Sequence, residues 1–256
     1  MRLTALAAAG VLALGCLSAC GDDDKSGRLD PEDVKPALLT VENLSDAFEI
    51  DPDEGGGGDD GPDWGCLFDF GPLQEGSDDD EDEGDEDDEN QVQFRASEEP
   101  GMPGVIQLVD AAPSLAKAKK AMDDMAEEFE GCEEVDTTDD DGTTWQFDVA
   151  FDRSAWARGA DEQINLMATG SSTSDGLELP VSISLSVVRI ENAVSILMFI
   201  DLADDLAGAP RALTNAASAR LQAVVDGEDI AEPEPVLEDY PIGAAFAELL
   251  GKDAAA

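Results

Sequence analysis

Sixty-one of the 256 residues are aspartate or glutamate and none is histidine, so side-chain chemistry in this chain rests on carboxylates, hydroxyls, thiols and a few cations. Without histidine, Ser-His-Asp and Cys-His nucleophilic centres and histidine-ligated metals cannot be assembled. Paired carboxylates suit glycoside hydrolysis, but among so many acids pairs arise by chance and no particular pair stands out. Calcium is the sharper possibility. An EF-hand frame opening at Asp78 places Asp80, Asp82 and Glu89 at the third, fifth and twelfth positions, with the glycine one place late at Gly84. Opening at Asp79 restores the glycine but brings Asn90 to the twelfth place, losing the bidentate ligand. Neither frame has amphipathic flanks, so the run predicts diffuse cation association, no specific metal site and no cofactor. The glycines at 55–58 are flanked by acids that repel phosphate. Trp64, Trp145 and Trp156 are candidates to line a ligand cleft, the competing reading being that aromatics at alternating strand positions form core. Arg95, Arg153, Arg158 and Arg189 are scarce cations that either pair with surface acids or hook an anionic ligand.

The thiols carry the most positional information. Arg2 gives a positive start, Leu3 to Leu14 is an apolar run too short to span a bilayer, and small residues precede Cys20: the pattern of a cleaved secretory signal over residues 1–19. Leu17-Ser18-Ala19-Cys20 resembles the lipobox of bacterial lipoproteins. That resemblance implies a diacylglyceryl group on the Cys20 thiol, which becomes the first residue of a protein anchored to the outer face of the cytoplasmic membrane without a membrane-spanning helix. An uncleaved anchor and an ordinary secretion signal with a chance cysteine are the competing readings. Cys16 has Ala13 three places before it, where Cys20 has Leu17, and is expected to leave with the signal. Cys66 and Cys132 then remain as a pair for a disulfide in an oxidising compartment. A redox or metal pair is the alternative, but neither lies in a Cys-x-x-Cys motif.

Charge bounds the partners. The formal net charge is −47, and removing residues 1–19, whose only base is Arg2, leaves 61 acids against 13 bases, or −48. Such a surface taken as a whole repels nucleic acid and anionic lipid headgroups, which excludes DNA or RNA as a partner and favours cations, cationic surfaces or neutral ligands. It also suits high external salt, where self-repulsion is screened.

The elements that must position these groups follow from periodicity. Residues 20–36 read as an acidic tether, followed by a short amphipathic helix with Thr40 as N-cap and Val41, Leu44 and Phe48 on one face. Residues 64–70 read as a strand carrying Cys66, and residues 75–91 as a disordered acidic loop. Strands are predicted at 92–96, 105–109, 144–151, 163–169, 181–190 and 193–202. The alternation of serine with aliphatics in 181–187 predicts one wet face. Ser114 opens a helix with Leu115, Ala118, Met122, Met125 and Phe129 on one face and Gly131 at its end. Leu213, Ala217, Leu221 and Val224 define a second, ended by Gly227. Residues 227–256 read as a flexible acidic tail with a weak helix over 244–250.

A secreted chain with Leu38-Leu39-Thr40-Val41-Glu42-Asn43-Leu44 near its start, one cysteine before the first strands, a second ending a helix and a late hairpin at Arg189-Ile190-Glu191-Asn192-Ala193-Val194 resembles a known group. It is similar to the extracytoplasmic sensor domain of the mycobacterial serine/threonine kinase H and to actinobacterial lipoproteins carrying that domain alone. In that family the hairpin often reads Arg-x-Gly-Asn; Arg189 and Asn192 match, and Glu191 stands where glycine is usual. Over residues 37–226 the resemblance implies an α+β domain: a twisted, mostly antiparallel sheet with two main helices packed on one face. It also implies ligand or partner binding outside the membrane, with no catalytic residues to carry over. Trp145, Arg189 and Asn192 are the candidate ligand-binding residues.

The leading expectation is a lipid-anchored extracytoplasmic lipoprotein, not an enzyme, binding a small ligand or a cell-envelope protein and held to the membrane through Cys20. The alternative is an acidic, cation-associating cell-surface protein acting through loop 78–89. A secreted hydrolase would need a cleft in which one carboxyl is held neutral beside another held charged.

Overall fold

Aliphatic residues alternate with small or polar ones between 91 and 111 and between 144 and 201. In a computed structural model, which describes residues 28–51, 65–67, 90–97, 101–139, 142–174 and 176–242, these stretches join one eight-stranded sheet. The strands are β1 (Phe48–Ile50), β2 (Gln91–Ala96), β3 (Gly104–Ala111), β4 (Glu134–Thr138), β5 (Thr144–Asp152), β6 (Glu162–Ser174), β7 (Leu177–Ile190) and β8 (Ala193–Asp201). Their order is β1-β2-β3-β8-β7-β6-β5-β4 and every neighbouring pair is antiparallel. A three-stranded meander thus meets a five-stranded one at β3 and β8, and the long helix between them carries the chain to the far edge. Helices α1 (Pro31–Val34) and α2 (Val41–Leu44) are single turns; α3 (Leu115–Glu130) and α4 (Ala209–Asp226) are the long ones.

The expected α+β class and antiparallel sheet are both present, but the long helices lie on opposite faces of the sheet and not on one. Val181, Ile183, Leu185 and Val187 of β7 pack with Val194, Ile196 and Met198 of β8 under Met122, Met125 and Phe129 of α3. The alternate residues face α4: Leu197 and Phe199 pack with Leu213 and Ala217, and Val188 and Ile190 with Leu221. Strand alternation sends successive side chains to opposite faces, so a strand buried on both sides needs a cover on each. The serine face is therefore not wet. Ser182, Ser184, Ser186 and Ser195 are buried on the side that α4 covers. Three of these hydroxyls are bonded internally: Ser186 Oγ donates to Asn165 Oδ1 (2.6 Å), Ser182 Oγ to the Ala203 carbonyl (2.7 Å), and Ser195 Oγ accepts from Gln107 Nε2 (3.1 Å).

Local signals explain the helix ends. Ser114 Oγ accepts from the Lys117 amide, and Gly227 closes α4 at φ 65, a conformation that costs glycine nothing. Thr40 caps α2 as expected, but the helix stops at Leu44 and Phe48 enters β1. Residues 65–67 form a 3₁₀ turn, not a strand.

Both boundaries of the folded part move outward from 37 and 226. Val34, assigned to the tether, has no exposed surface and sits in the core with Ala37 and Leu221. The segment after α4 docks as well: the Val236 and Leu237 amides donate to the Asn43 and Leu44 carbonyls (3.0 and 2.9 Å), and Leu237 is buried among Leu44, Phe48 and Phe199. A few apolar residues among prolines and acids have no period, which is why this strap read as tail. The weak helix at 244–250 lies outside the described residues, as do Trp64, the signal segment, Cys20 and loop 78–89.

The strap ends on Tyr240, edge-on to Phe199 at 5.3 Å, with its hydroxyl donating to Asp201 Oδ2 (2.7 Å). Burial raises the Asp201 carboxyl above the usual aspartate value, against the lowering effect of the Tyr240 and Leu202 hydrogen bonds; burial and the neighbouring carboxylate also push the Tyr240 hydroxyl up. A carboxyl whose folded value is raised contributes stability at acid pH and loses it as pH rises through that value. Asp201→Asn is therefore expected to gain on the parent in urea midpoint as pH climbs above about 4. A constant gap across that range would show that Asp201 titrates normally.

Candidate functional site

The turn between β7 and β8 organises one end of the sheet. Glu191 takes φ 53, a left-handed conformation unfavourable to glutamate, and the surrounding bonds hold it there. Arg189 Nη1 donates to the Glu191 carbonyl (2.7 Å), and the Glu191 amide donates to Asp161 Oδ2 (2.8 Å). Arg189 also donates through Nε to Glu162 Oε2 (2.7 Å), its partner across the β6–β7 rung, and through Nη1 to Asp161 Oδ2 (3.2 Å). Its side chain is 4% exposed, so this is a buried guanidinium whose charge is met by two half-exposed carboxylates. Asn192 completes the lock: Nδ2 donates to the carbonyls of Leu29 (3.0 Å) and Ala112 (2.8 Å), and Oδ1 accepts from the Leu29 amide (3.3 Å). Arg189→Leu is expected to cost about 3 kcal/mol by stranding Asp161 and Glu162 and releasing Glu191. Arg189→Lys should recover only part, because an ammonium cannot reproduce the fork. Denaturant midpoints of the two variants check this.

Beside the lock, α3 and the loop after β5 enclose a cleft of about 290 Å³ whose walls include Met122, Asp123, Arg153, Ala155, Asp161 and Ile164. Arg153 is no free anion hook: Nη2 donates to Glu130 Oε1 (2.9 Å), and the guanidinium lies 5.5 Å from the Phe151 ring centre. The carboxylates of Asp123, Asp161 and Glu162 dominate the remaining polar wall, which suits a cationic or hydroxyl-bearing ligand. Loop 153–161 is held from below by a buried amide chain. Gln163 Oε1 accepts from the Trp156 and Ala157 amides (both 2.9 Å), Gln163 Nε2 donates to Asn165 Oδ1 (2.7 Å), and Asn165 Nδ2 donates to the Ser154 carbonyl (2.8 Å). A second recess, of about 230 Å³, lies over β4, β5 and β6 between Glu134, Asp136, Asp148, Thr169 and Ser171.

Carboxylate catalysis finds no arrangement of the required kind among the described residues. The shifted carboxyls belong to separate elements: Glu42 of α2, lowered by its bond to Thr40; Asp152 at the end of β5, lowered by Ser154; and Asp201, raised by burial and closed off by Tyr240. Nor does any group of three or more potential metal ligands converge among the described residues.

Of the three candidate binding residues, Arg189 and Asn192 come together in the lock and Trp145 stands apart. Trp145 pairs with Ser172 on β6 while Arg189 pairs with Glu162, ten residues along the same strand, about 33 Å. Its indole donates to Asp139 Oδ2 (3.1 Å) and its ring stacks near Phe147, with centroids 6.3 Å apart. Trp156 is half-buried, its carbonyl accepting from Asn215 Nδ2 (2.9 Å), and Arg95 pairs with Glu49 and Asp51. Cys66 and Cys132 form the expected disulfide, joining the 65–67 turn to the end of α3. Sequence reasoning missed Asp161, Gln163 and Asn165. Their one available signal was a run of alternating amides where a half-exposed strand would tolerate any polar residue.

No family model and no curated protein matches this chain. Among solved structures it is similar to the crystal structure of the extracellular domain of PknH from Mycobacterium tuberculosis, at 15% identity and a TM-score of 0.38, over 54% of this chain and 63% of that one. The match thus spans less than two thirds of that domain, and the likeness is a weak one of structure alone.

Proposed function

We propose that this chain is a non-catalytic binding domain on the outer face of the cytoplasmic membrane, held by lipid on Cys20, and that the cleft between α3 and loop 153–161 receives its ligand or a segment of a cell-envelope partner. The observation that carries the binding reading is the contrast inside the site. Arg189 and Asn192 are engaged in internal bonds, whereas the wall of the neighbouring cleft carries Asp123 together with Asp161 and Glu162, half-exposed carboxylates that meet Arg189 through Oδ2 and Oε2. The anchoring reading rests on the spacing Leu17-Ser18-Ala19-Cys20 alone.

Each half has its own test. Mass spectrometry of the native product is expected to find an acylated Cys20 at the amino terminus, and Cys20→Ala to release the protein into the medium; an unmodified terminus elsewhere removes the anchor. For the cleft, a diamine titrated into the labelled protein should shift the amide resonances of residues 122–123 and 160–164 before those of the β4–β6 recess. Uniform shifts over all acidic surfaces would mean diffuse cation association and no site.

A further inference from the structure

The chain's charge is distributed unevenly along the strand direction, and the tether leaves from a defined end. Residues 133–148 and 169–181, which build the end of the sheet holding the β4–β5 and β6–β7 turns, contain no lysine or arginine. They present Glu134, Asp136, Asp148 and Glu178 to solvent. At the opposite end stand Arg28, Arg158 and the α3 lysines Lys117, Lys119 and Lys120, all exposed. This placement follows from bonds already described. Asn192 grips Leu29 and Ala112, and two residues beyond Ala112 the α3 N-cap Ser114 begins the turn bearing Lys117. Among the described residues Leu115, 39% exposed, lies on that same first turn, and Leu177, 49% exposed, lies at the acidic end. The basic end is not free of acids: Asp161 and Glu162 face Arg189, Asp124 pairs with Lys120, Asp33 caps Asp30, and Glu32, Asp110, Asp123, Glu191 and Asp226 stand there too. Cations are thus interspersed with the acids there, whereas residues 133–148 and 169–181 at the other end hold acids alone, and Arg95, on the rung of Ile200 and Ile183, is paired with Glu49 and Asp51.

Resting on the Cys20 reading, we infer that the domain stands on an anionic lipid surface by its β7–β8 end, with Leu115, Lys117 and Lys119 toward the headgroups and the acidic β4–β5 and β6–β7 turns pointing away. Cys20 precedes the pinned Leu29 by nine residues, a reach of at most about 30 Å. That length keeps the lysine end near the bilayer but would still let the domain lie flat, so the charge distribution decides. Each lysine beside an anionic surface favours this pose by about fivefold, and each acid turned toward it opposes the reverse pose. An exposed leucine among lysines matches the headgroup boundary, where apolar and cationic groups are both accommodated. The cleft, at the same end, would then open near the membrane.

The test uses the acylated full chain in phosphatidylglycerol vesicles carrying a headgroup quencher, with a fluorophore on Ala116→Cys or on Glu178→Cys. These sites lie at opposite ends of β7, whose 14 residues span about 45 Å. Position 116 is expected to be quenched several-fold more than position 178. The difference should shrink in neutral phosphatidylcholine vesicles and in the triple variant Lys117→Glu, Lys119→Glu, Lys120→Glu, with circular dichroism confirming the fold. Equal quenching in the acylated parent, stronger quenching at 178, or a difference indifferent to lipid charge would overturn the inference. Failure of the anchoring reading looks different: an unmodified Cys20 by mass and no vesicle association at all.

Discussion

Gly170→Ala is expected to lower stability by about 3 kcal/mol or more, the largest effect of any glycine-to-alanine change among the described residues. A Cβ at Gly170 would stand 1.8 Å from the Gln146 carbonyl oxygen and 2.8 Å from Phe147 Cα. Both are backbone atoms, so no rotamer change relieves the clash and β5 must move off β6. The rungs that would be disturbed, Trp145 with Ser172 and Val149 with Ala168, flank the pairing of Phe147 with Gly170. Phe147 also pairs with Val135 and belongs to the core under α3. The damage should therefore reach β4, and hydrogen exchange at residues 134–138 should accelerate along with the fall in denaturant midpoint. Gly208→Ala is the control: φ there is −93 and nothing lies within 4 Å of an added Cβ, so the expected change is within about 1 kcal/mol. If both substitutions cost the same, the close approach of β5 and β6 is not present in solution.

Removing the disulfide is the second large effect. Cys66 and Cys132 are 66 residues apart in sequence, and by the chain-entropy account closing such a loop contributes about 4 kcal/mol by constraining the unfolded chain. The bridge also sits on core: Cys132 is 3% exposed and belongs to the cluster containing Phe129, Val135 and Leu67. Cys66→Ser with Cys132→Ser is expected to cost 2 to 4 kcal/mol, read as about that loss in urea-extrapolated stability relative to the oxidised parent. Reduction of the parent should reproduce most of it. A loss below about 1 kcal/mol would mean that the turn at 65–67 is held to α3 by packing alone.

What could be read from the sequence divides along physical lines. Strands β2, β3, β5, β7 and β8 and both long helices were legible because each alternates or repeats strongly enough to declare a buried face, and Ser114 and Gly227 mark helix ends by chemistry that acts locally. The lengths of β6 and β7 were underestimated where Gly170 to Ser174 turn polar and where Pro180 interrupts Leu177 to Val181, since pairing there is sustained by neighbouring strands. β4 was missed because Val135 is its only buried residue among acids and threonines. Which face each helix covers was not legible at all: small serines look alike whether they meet water or the Ala217 and Ser218 side of a helix. Burial of Gln107 and Asn165 was likewise hidden, because what makes an amide acceptable inside is a set of partners of which all but Gln163 lie 11 to 88 residues away. The hairpin pair Arg189 and Asn192 was read as ligand-binding; in the structure the two side chains hold a left-handed glutamate and the incoming chain.

The attachment of Leu29 to Asn192 also determines how the domain takes up tension. A pull arriving through the amino-terminal segment reaches the sheet at its middle, because β8 is flanked by β3 along eight rungs and by β7 along nine. Traction is shared across the centre and cannot unzip an edge strand. The weakest joint in that line is the side-chain grip on Leu29, followed by the single turn of α1, so strain should be spent in detaching residues 29–37 while the rungs behind them stay closed.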